Sequence, residues 1–341
     1  MEQSSLELLI PAAKIEAVKK ALQQAFNTRT VESIILLNGG YSGALVYKFQ
    51  VSGKAYVLRL VRQIDAFNDP VRQYTCMNLA AEAGIAPHVY YSNAQDAVSI
   101  TDFIETKPLS EHFTSPNKLL PELVKTIQSI HSTPLFPKLV NYLDGIDLFI
   151  QNFKASGLLP ESATEEHFRY YSQIQNIYPR YDPDIVSSHN DLNPNNILFD
   201  GKKIWIIDWE AAFQNDRYVD LANIANRFVT NEREEEIYLK AYFGDSIDDY
   251  KRARLFLMQQ VCHMFYALGF LQYAAASRPP DSTCSDSMDT PRLRDFHQQV
   301  RTGKISLTTH EGQLLYGKVR LNEALYNMKT PRFAESIDLI K

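Results

Sequence analysis

One stretch constrains this chain more than any other. It reads Ser188-His189-Asn190-Asp191-Leu192-Asn193-Pro194-Asn195-Asn196-Ile197-Leu198-Phe199, then Ile204-Trp205-Ile206-Ile207-Asp208-Trp209-Glu210. Ile197 to Phe199 and Lys203 to Ile207 are strand-length and rich in residues that suit a sheet. Asp200-Gly201 between them is a hairpin-turn signal. A hairpin sets Asn196 at the end of one strand and Asp208 at the end of the other, with Asp191 in the loop just before. Taken alone, Asn-Asp-Leu-Asn-Pro-Asn-Asn also reads as a plain turn, because Asn, Asp and Pro are turn residues. That reading leaves unexplained why the polar cluster and Asp208 fall on opposite arms of one hairpin.

Phosphoryl transfer needs such a convergence. A carboxylate must align the acceptor hydroxyl, and an Asp and an Asn must hold Mg²⁺ against the triphosphate. The spacing H-x-D-x-x-x-x-N fits His189, Asp191 and Asn196, and an Ile-Asp pair follows one strand later. In kinases the corresponding loop and downstream Asp do these jobs. The downstream triplet here is Asp-Trp-Glu rather than Asp-Phe-Gly, and no Ala-Pro-Glu segment follows, which disfavours a protein kinase.

On these residues the chain resembles the aminoglycoside phosphotransferase and choline kinase superfamily. Asp208-Trp209-Glu210, Asn215 and Asp220-Leu221-Ala222-Asn223 are similar, at the same spacing, to the pattern I-D-[FW]-E…N…D-[IL]-[AG]-N of the choline/ethanolamine kinase branch. The resemblance runs from Ile34 to Tyr273 and implies an α+β, protein-kinase-like bilobal fold. Residues 1–104 would form a small nucleotide-binding lobe, an antiparallel sheet with one key helix. Residues 105–341 would form a larger, mainly helical lobe for catalysis and substrate binding. The implied cofactors are ATP and Mg²⁺, and the implied partner is a small-molecule hydroxyl acceptor. Asp191 would orient that hydroxyl, and Asn196 and Asp208 would bind metal. His189 would buttress the loop, and Asp220 would hydrogen-bond it from below. Glu210 would reach a second Mg²⁺ or line the acceptor site. Asp102 to Glu105, with Asp102 and Ile104 as the candidates, would be the hinge whose backbone meets adenine.

In the N-terminal third, Pro11 to Phe26 has the apolar spacing of an amphipathic helix. Strand-like segments follow at Val31 to Leu37, Ala44 to Val51 and Ala55 to Val61. Between the first two lies Asn38-Gly39-Gly40-Tyr41-Ser42-Gly43. Its glycines let backbone amides approach phosphates, although a simple hairpin turn reads the same way. By resemblance Gly39, Gly40, Ser42 and Gly43 cover the nucleotide. Where kinases place a phosphate-holding lysine on the third strand, this chain has Arg59, as the choline kinase branch does. A forked guanidinium can chelate phosphate oxygens; the competing reading is an arginine on a solvent face. The helix from Pro70 to Glu82 should carry an acid to pair with that cation. The aligned residue is Gln73, which can hydrogen-bond Arg59 but cannot neutralise it.

The acceptor is less legible. The choline kinase pattern calls for a glutamate seven positions past Asp220; Arg227 stands there, a poor neighbour for a cationic head group. Tyr266 and Phe270 lie at helical spacing where the branch cages a quaternary ammonium with aromatic rings, but the same spacing describes a core helix. Three readings follow: a choline/ethanolamine-type kinase, an aminoglycoside or other small-alcohol kinase, and a non-catalytic nucleotide-binding module. A net charge of −5 gives no support to nucleic-acid binding. Cys76, Cys262 and Cys284 are far apart, as free thiols of a reducing compartment are. With no signal-peptide pattern at the start and no run of about 20 apolar residues, the expectation is a cytoplasmic protein that does not insert in a membrane.

Overall fold

The structure, a computed structural model, describes residues 5–37, 43–180, 185–279 and 286–341. The chain forms two compact units: Met1–Leu139 with Ile185–Asp220 and Arg227–Tyr242, and Val140–Asp184 with Leu221–Asn226 and Phe243–Lys341.

The first unit is built on an antiparallel sheet of β1 (Ser33–Leu36), β2 (Ala44–Val51), β3 (Lys54–Val61), β4 (Val89–Asn93) and β5 (Val98–Asp102), in the order β1-β2-β3-β5-β4. Ser52 and Gly53 both have positive φ, 51° and 72°. That pair of left-handed residues gives the turn twist that matches two right-twisted strands. Strand alternation then sorts the side chains. Tyr56, Leu58 and Leu60 are buried with Tyr47, Phe49 and Ile100 against Val18, Ala21 and Leu22 of the helix Ile15–Phe26. Arg59, between Leu58 and Leu60, falls on the other face. The helix Pro70–Glu82 follows: Asp69 caps the Val71 and Arg72 amides and Pro70 is the first helical residue.

Two small ladders complete the frame of this unit. β6 (Ile185–Ser188) pairs with β9 (Phe213–Asp216). β7 (Ile197–Phe199) pairs with β8 (Ile204–Ile206), in the register Ile197↔Ile206, Leu198↔Trp205, Phe199↔Ile204. The predicted hairpin is present, and Gly201 in its turn has φ of 95°.

The second unit centres on the 28-residue helix Asp249–Ala276, which buries residues on all sides and is a core helix by that criterion. The helices Tyr142–Ser156, His310–Met328 and Pro331–Ile340 pack on it. The approach of His310–Met328 depends on Gly317. A Cβ there would sit 2.5 Å from Leu271 Cγ and 3.1 Å from the Ala267 carbonyl oxygen. Gly317→Ala is therefore expected to destabilise the protein by about 1–3 kcal/mol, as overpacking of a filled core does. Urea unfolding checks this; an unchanged midpoint would mean that the two helices can separate freely. Among the described residues no helix is long and apolar enough to cross a membrane.

Candidate active site

The residues of the loop after β6 owe their positions to a chain of local hydrogen bonds. β6 delivers Asn190 in the left-handed region, φ 64°, which asparagine tolerates better than most residues. Its side-chain Nδ2 donates to the Ala211 carbonyl at 2.9 Å, and its Oδ1 accepts from Asn215 Nδ2 at 2.7 Å. Asp191 follows. Asn193 Nδ2 and Asn196 Nδ2 each donate to Asp191 Oδ2 at 3.0 Å. Asn193 Oδ1 accepts from the Asn195 amide at 2.9 Å, starting the short turn that carries Asn196. With its nitrogen on Asp191, Asn196 turns its side-chain oxygen away from that carboxylate.

The hairpin closes the site. The Ile207 amide donates to the Asn196 carbonyl at 3.0 Å, so Asp208 follows directly beside Asn196. Asp208 is also left-handed, φ 64° and ψ 67°, and its side chain is 34% exposed. His189 is wedged beneath. Its Nε2 lies 3.0 Å from the Ile207 carbonyl, its Nδ1 is 3.3 Å from the Asp191 amide, and Trp209 packs edge-on at 4.8 Å. Those partners assign the proton to Nε2 and leave the ring fully buried, positioned to brace the loop rather than take a substrate proton.

Asp220 sits below, fully buried. Its Oδ2 accepts the His189 amide at 2.9 Å and its Oδ1 the Asn190 amide at 2.8 Å. His131 Nε2 approaches Oδ2 at 3.2 Å, and His131 Nδ1 meets the Tyr242 hydroxyl at 2.6 Å. Burial opposes ionisation, but the hydrogen bond from His131, the electrostatic pull of the two imidazoles and the His189 amide outweigh it, so the Asp220 carboxyl is held below its ordinary pKa.

Arg59 reaches in from β3, 17% exposed. It donates to Gln73 Oε1 at 3.0 Å, to Glu210 Oε2 at 2.5 Å and to Asp208 Oδ1 at 3.5 Å. Burial first, then the charges of Asp208 and Asp191, outweigh Arg59 and hold the Glu210 carboxyl above the ordinary glutamate range. Asp208 and Glu210 thus share the Arg59 guanidinium, and the charge of Asp191 is felt at Glu210.

The other sequence candidates are distributed unevenly. Gly39, Gly40 and Ser42 lie outside the described residues; the carbonyl of Gly43 accepts from Arg62 Nε at 3.1 Å. Asp102 pairs with Lys54 at 2.7 Å and Tyr90 at 3.1 Å, and its amide is bonded to the His88 carbonyl. Of the two hinge candidates, Ile104 is the one whose amide is not used this way. Arg227 is half-buried in the last turn of the helix Arg217–Phe228. Tyr266 and Phe270 belong to the second unit, where the Tyr266 ring lies 4.8 Å from the Arg320 guanidinium and Phe270 packs edge-on to Tyr316 at 4.6 Å. Both rings have partners within their own unit.

Arg72 was not anticipated from the sequence. It is 3% exposed and donates to the carbonyls of Glu210 at 2.9 Å, Ala212 at 2.6 Å and Phe67. The available signal was its spacing: Arg72, Cys76 and Ala80 recur every four residues and all three are buried.

A family model described as "Phosphotransferase enzyme family" (APH) matches residues 33–256. The chain is 24% identical over 202 residues to protein LicA of Haemophilus influenzae, covering 56% of this chain and 58% of that one. It therefore spans less than two thirds of that relative. Among solved structures, a choline/ethanolamine kinase family protein from Mesorhizobium loti matches with a TM-score of 0.68 at 19% identity, covering 96% of this chain and 99% of that one. Choline kinase LicA from Streptococcus pneumoniae matches with a TM-score of 0.60 at 16% identity, covering 92% and 98%. Identities this low show a shared fold, and the expected α+β kinase-like fold is the one observed.

Proposed function

The chain belongs to the phosphotransferase enzyme family, and from that premise we propose that it moves the γ-phosphate of ATP to the hydroxyl of a small molecule of choline or ethanolamine type. The observation that carries this reading is the Asp191 carboxylate, held by Asn193 and by Asn196, the residue the hairpin sets beside Asp208 and its Arg59 contact. An acceptor hydroxyl on Asp191 is oriented for in-line attack and gives up its proton there late in the transfer. Arg59 offers a forked cation to phosphate oxygens. Asn196 and the partly exposed Asp208 supply an amide and a carboxylate oxygen, the hard donors Mg²⁺ takes alongside phosphate oxygens and water. When bound, Mg²⁺ neutralises charge on the triphosphate. Most of the acceleration then comes from positioning and charge stabilisation.

In this reading residues 1–104 handle nucleotide and residues 105–341 handle catalysis and acceptor. Asp102 and Ile104 flank the adenine contact, and the glycines at 39, 40 and 43, with Ser42, cover the phosphates. The setting is the cytoplasm, where the free thiols of Cys76 and Cys262 stay reduced. The choline-type acceptor is supported by the similarity to LicA and by Arg59 in place of lysine. Arg227, where an acid would meet a cation, favours a second reading, an aminoglycoside-unlike small alcohol or sugar without positive charge.

ADP release with Mg-ATP, measured against choline, ethanolamine, aminoglycosides, thiamine and simple sugars, tests the proposal. Turnover on choline or ethanolamine that disappears in Asp191→Ala is expected. Turnover confined to a neutral or anionic alcohol would replace the acceptor class, and no turnover on any acceptor would favour a nucleotide-binding module.

A further inference from the structure

We infer that Glu210, rather than the helix Pro70–Glu82, supplies the counter-charge for Arg59, and that this pair caps the phosphate-binding fork until nucleotide displaces it. The inference rests on the phosphotransferase reading and adds to it a competition inside the site. It starts from Gln73. That residue is 2% exposed and accepts one Arg59 hydrogen bond at 3.0 Å, but an amide carries no charge. The charge comes from Glu210 Oε2, 2.5 Å from the other guanidinium nitrogen, with Asp208 a weaker neighbour at 3.5 Å. Arg59 and Glu210 are 17% and 28% exposed, so water screens the pair only in part.

The helix still takes part, through Arg72. Its guanidinium clamps the Glu210 and Ala212 carbonyls and fixes the segment that presents the Glu210 side chain. Adjacent residues of one helix thus hold both members of the pair: Gln73 holds Arg59, and Arg72 holds the backbone of Glu210. They are positioning residues.

An arginine fork has a fixed set of donors in one plane. With Nη1 on Gln73 and Nη2 on Glu210 and Asp208, a phosphate oxygen that approaches the Nη2 side of Arg59 competes there with a carboxylate of like charge. Nucleotide affinity without a divalent cation should therefore be held down by Glu210. Placing the counter-charge on the hairpin side, beside Asp208, makes release of Arg59 depend on what else offsets Glu210 there.

The test is ADP binding by calorimetry, in EDTA and in Mg²⁺, on the full chain. Glu210→Gln keeps the shape and removes the charge. It is expected to tighten metal-free ADP binding by about tenfold, the size of one lost charge-assisted contact, and so to narrow the gap between the EDTA and Mg²⁺ affinities. Adding Gln73→Glu to that variant returns a carboxylate to Arg59 from the helix and should reverse the gain, a non-additive pair. Metal-free affinity that is unchanged or weaker in Glu210→Gln, or a gain that Gln73→Glu does not reverse, would overturn the inference while leaving the phosphotransferase reading in place. Failure of the unmodified protein to bind ADP even with Mg²⁺ would overturn both.

Discussion

Asp191→Ala is expected to lower turnover by about 10²–10⁴-fold, the usual contribution of a positioned proton acceptor, while Mg-nucleotide still raises the melting temperature. The two effects separate because Asp191 is not proposed to hold metal or phosphate; Asn196, Asp208 and Arg59 are. Asp191→Asn should be nearly as inactive, for a reason visible in the loop. Asn193 and Asn196 both donate to Oδ2, so an asparagine must turn its oxygen toward them and its NH₂ toward the acceptor. That group cannot take a proton. The two variants should differ in stability, since alanine leaves both amide donors without their partner. Turnover by Asp191→Ala within tenfold of the unmodified enzyme would remove Asp191 from the reaction.

The parts of this site that were legible in the sequence are those whose partners are close in the chain. The hairpin could be read because Asp200-Gly201 punctuates two apolar runs, and β7 pairs with β8 across it. The helix Pro70–Glu82 was placed by the family resemblance, and the folded chain shows the local chemistry that starts it, the Asp69 cap followed by Pro70. Asn193 capping the turn before Asn196 follows from the same short-range chemistry. Of the partners of Arg59, Gln73 was reached through the family resemblance, and its hydrogen bond is present at 3.0 Å. The carboxylates could not be found that way: Asp208 and Glu210 are 149 and 151 positions from Arg59, and only the folded chain shows which one arrives. The face of β3 that Arg59 occupies was equally open until the neighbours Leu58 and Leu60 were seen buried against the helix Ile15–Phe26. Arg72 shows a different limit. Its hydrogen bonds go to three backbone carbonyls, and a carbonyl, present in every residue, does not announce itself in the sequence. The aromatic spacing of Tyr266 and Phe270 fitted a cage and a core alike, because spacing states which face a ring occupies and leaves open what lies opposite.

Asp220→Ala should have the largest effect on stability, about 3–5 kcal/mol, the cost of removing one partner from a buried, hydrogen-bonded charged network. Two backbone amides and His131 lose their acceptor together, at a site closed to bulk solvent. Asp220→Asn is not a mild substitute: its NH₂ must face either the His189 or the Asn190 amide, donor against donor. Activity should fall with stability, because those two amides set the loop that presents Asp191. The acid side of the stability profile supplies an independent check. The carboxyl of Asp220 titrates below its ordinary value of 3.8 in the folded protein. A depressed carboxyl binds its proton more readily in the unfolded chain, so its contribution is present above that value and is lost as pH falls below it toward the folded pKa. Urea unfolding between pH 7 and pH 3 should therefore show a loss of stability at the acid end that is smaller in Asp220→Asn. An equal loss in both proteins would mean that other carboxylates govern the acid limb, and that the network around Asp220 holds the loop by hydrogen bonding with no net help from its charge.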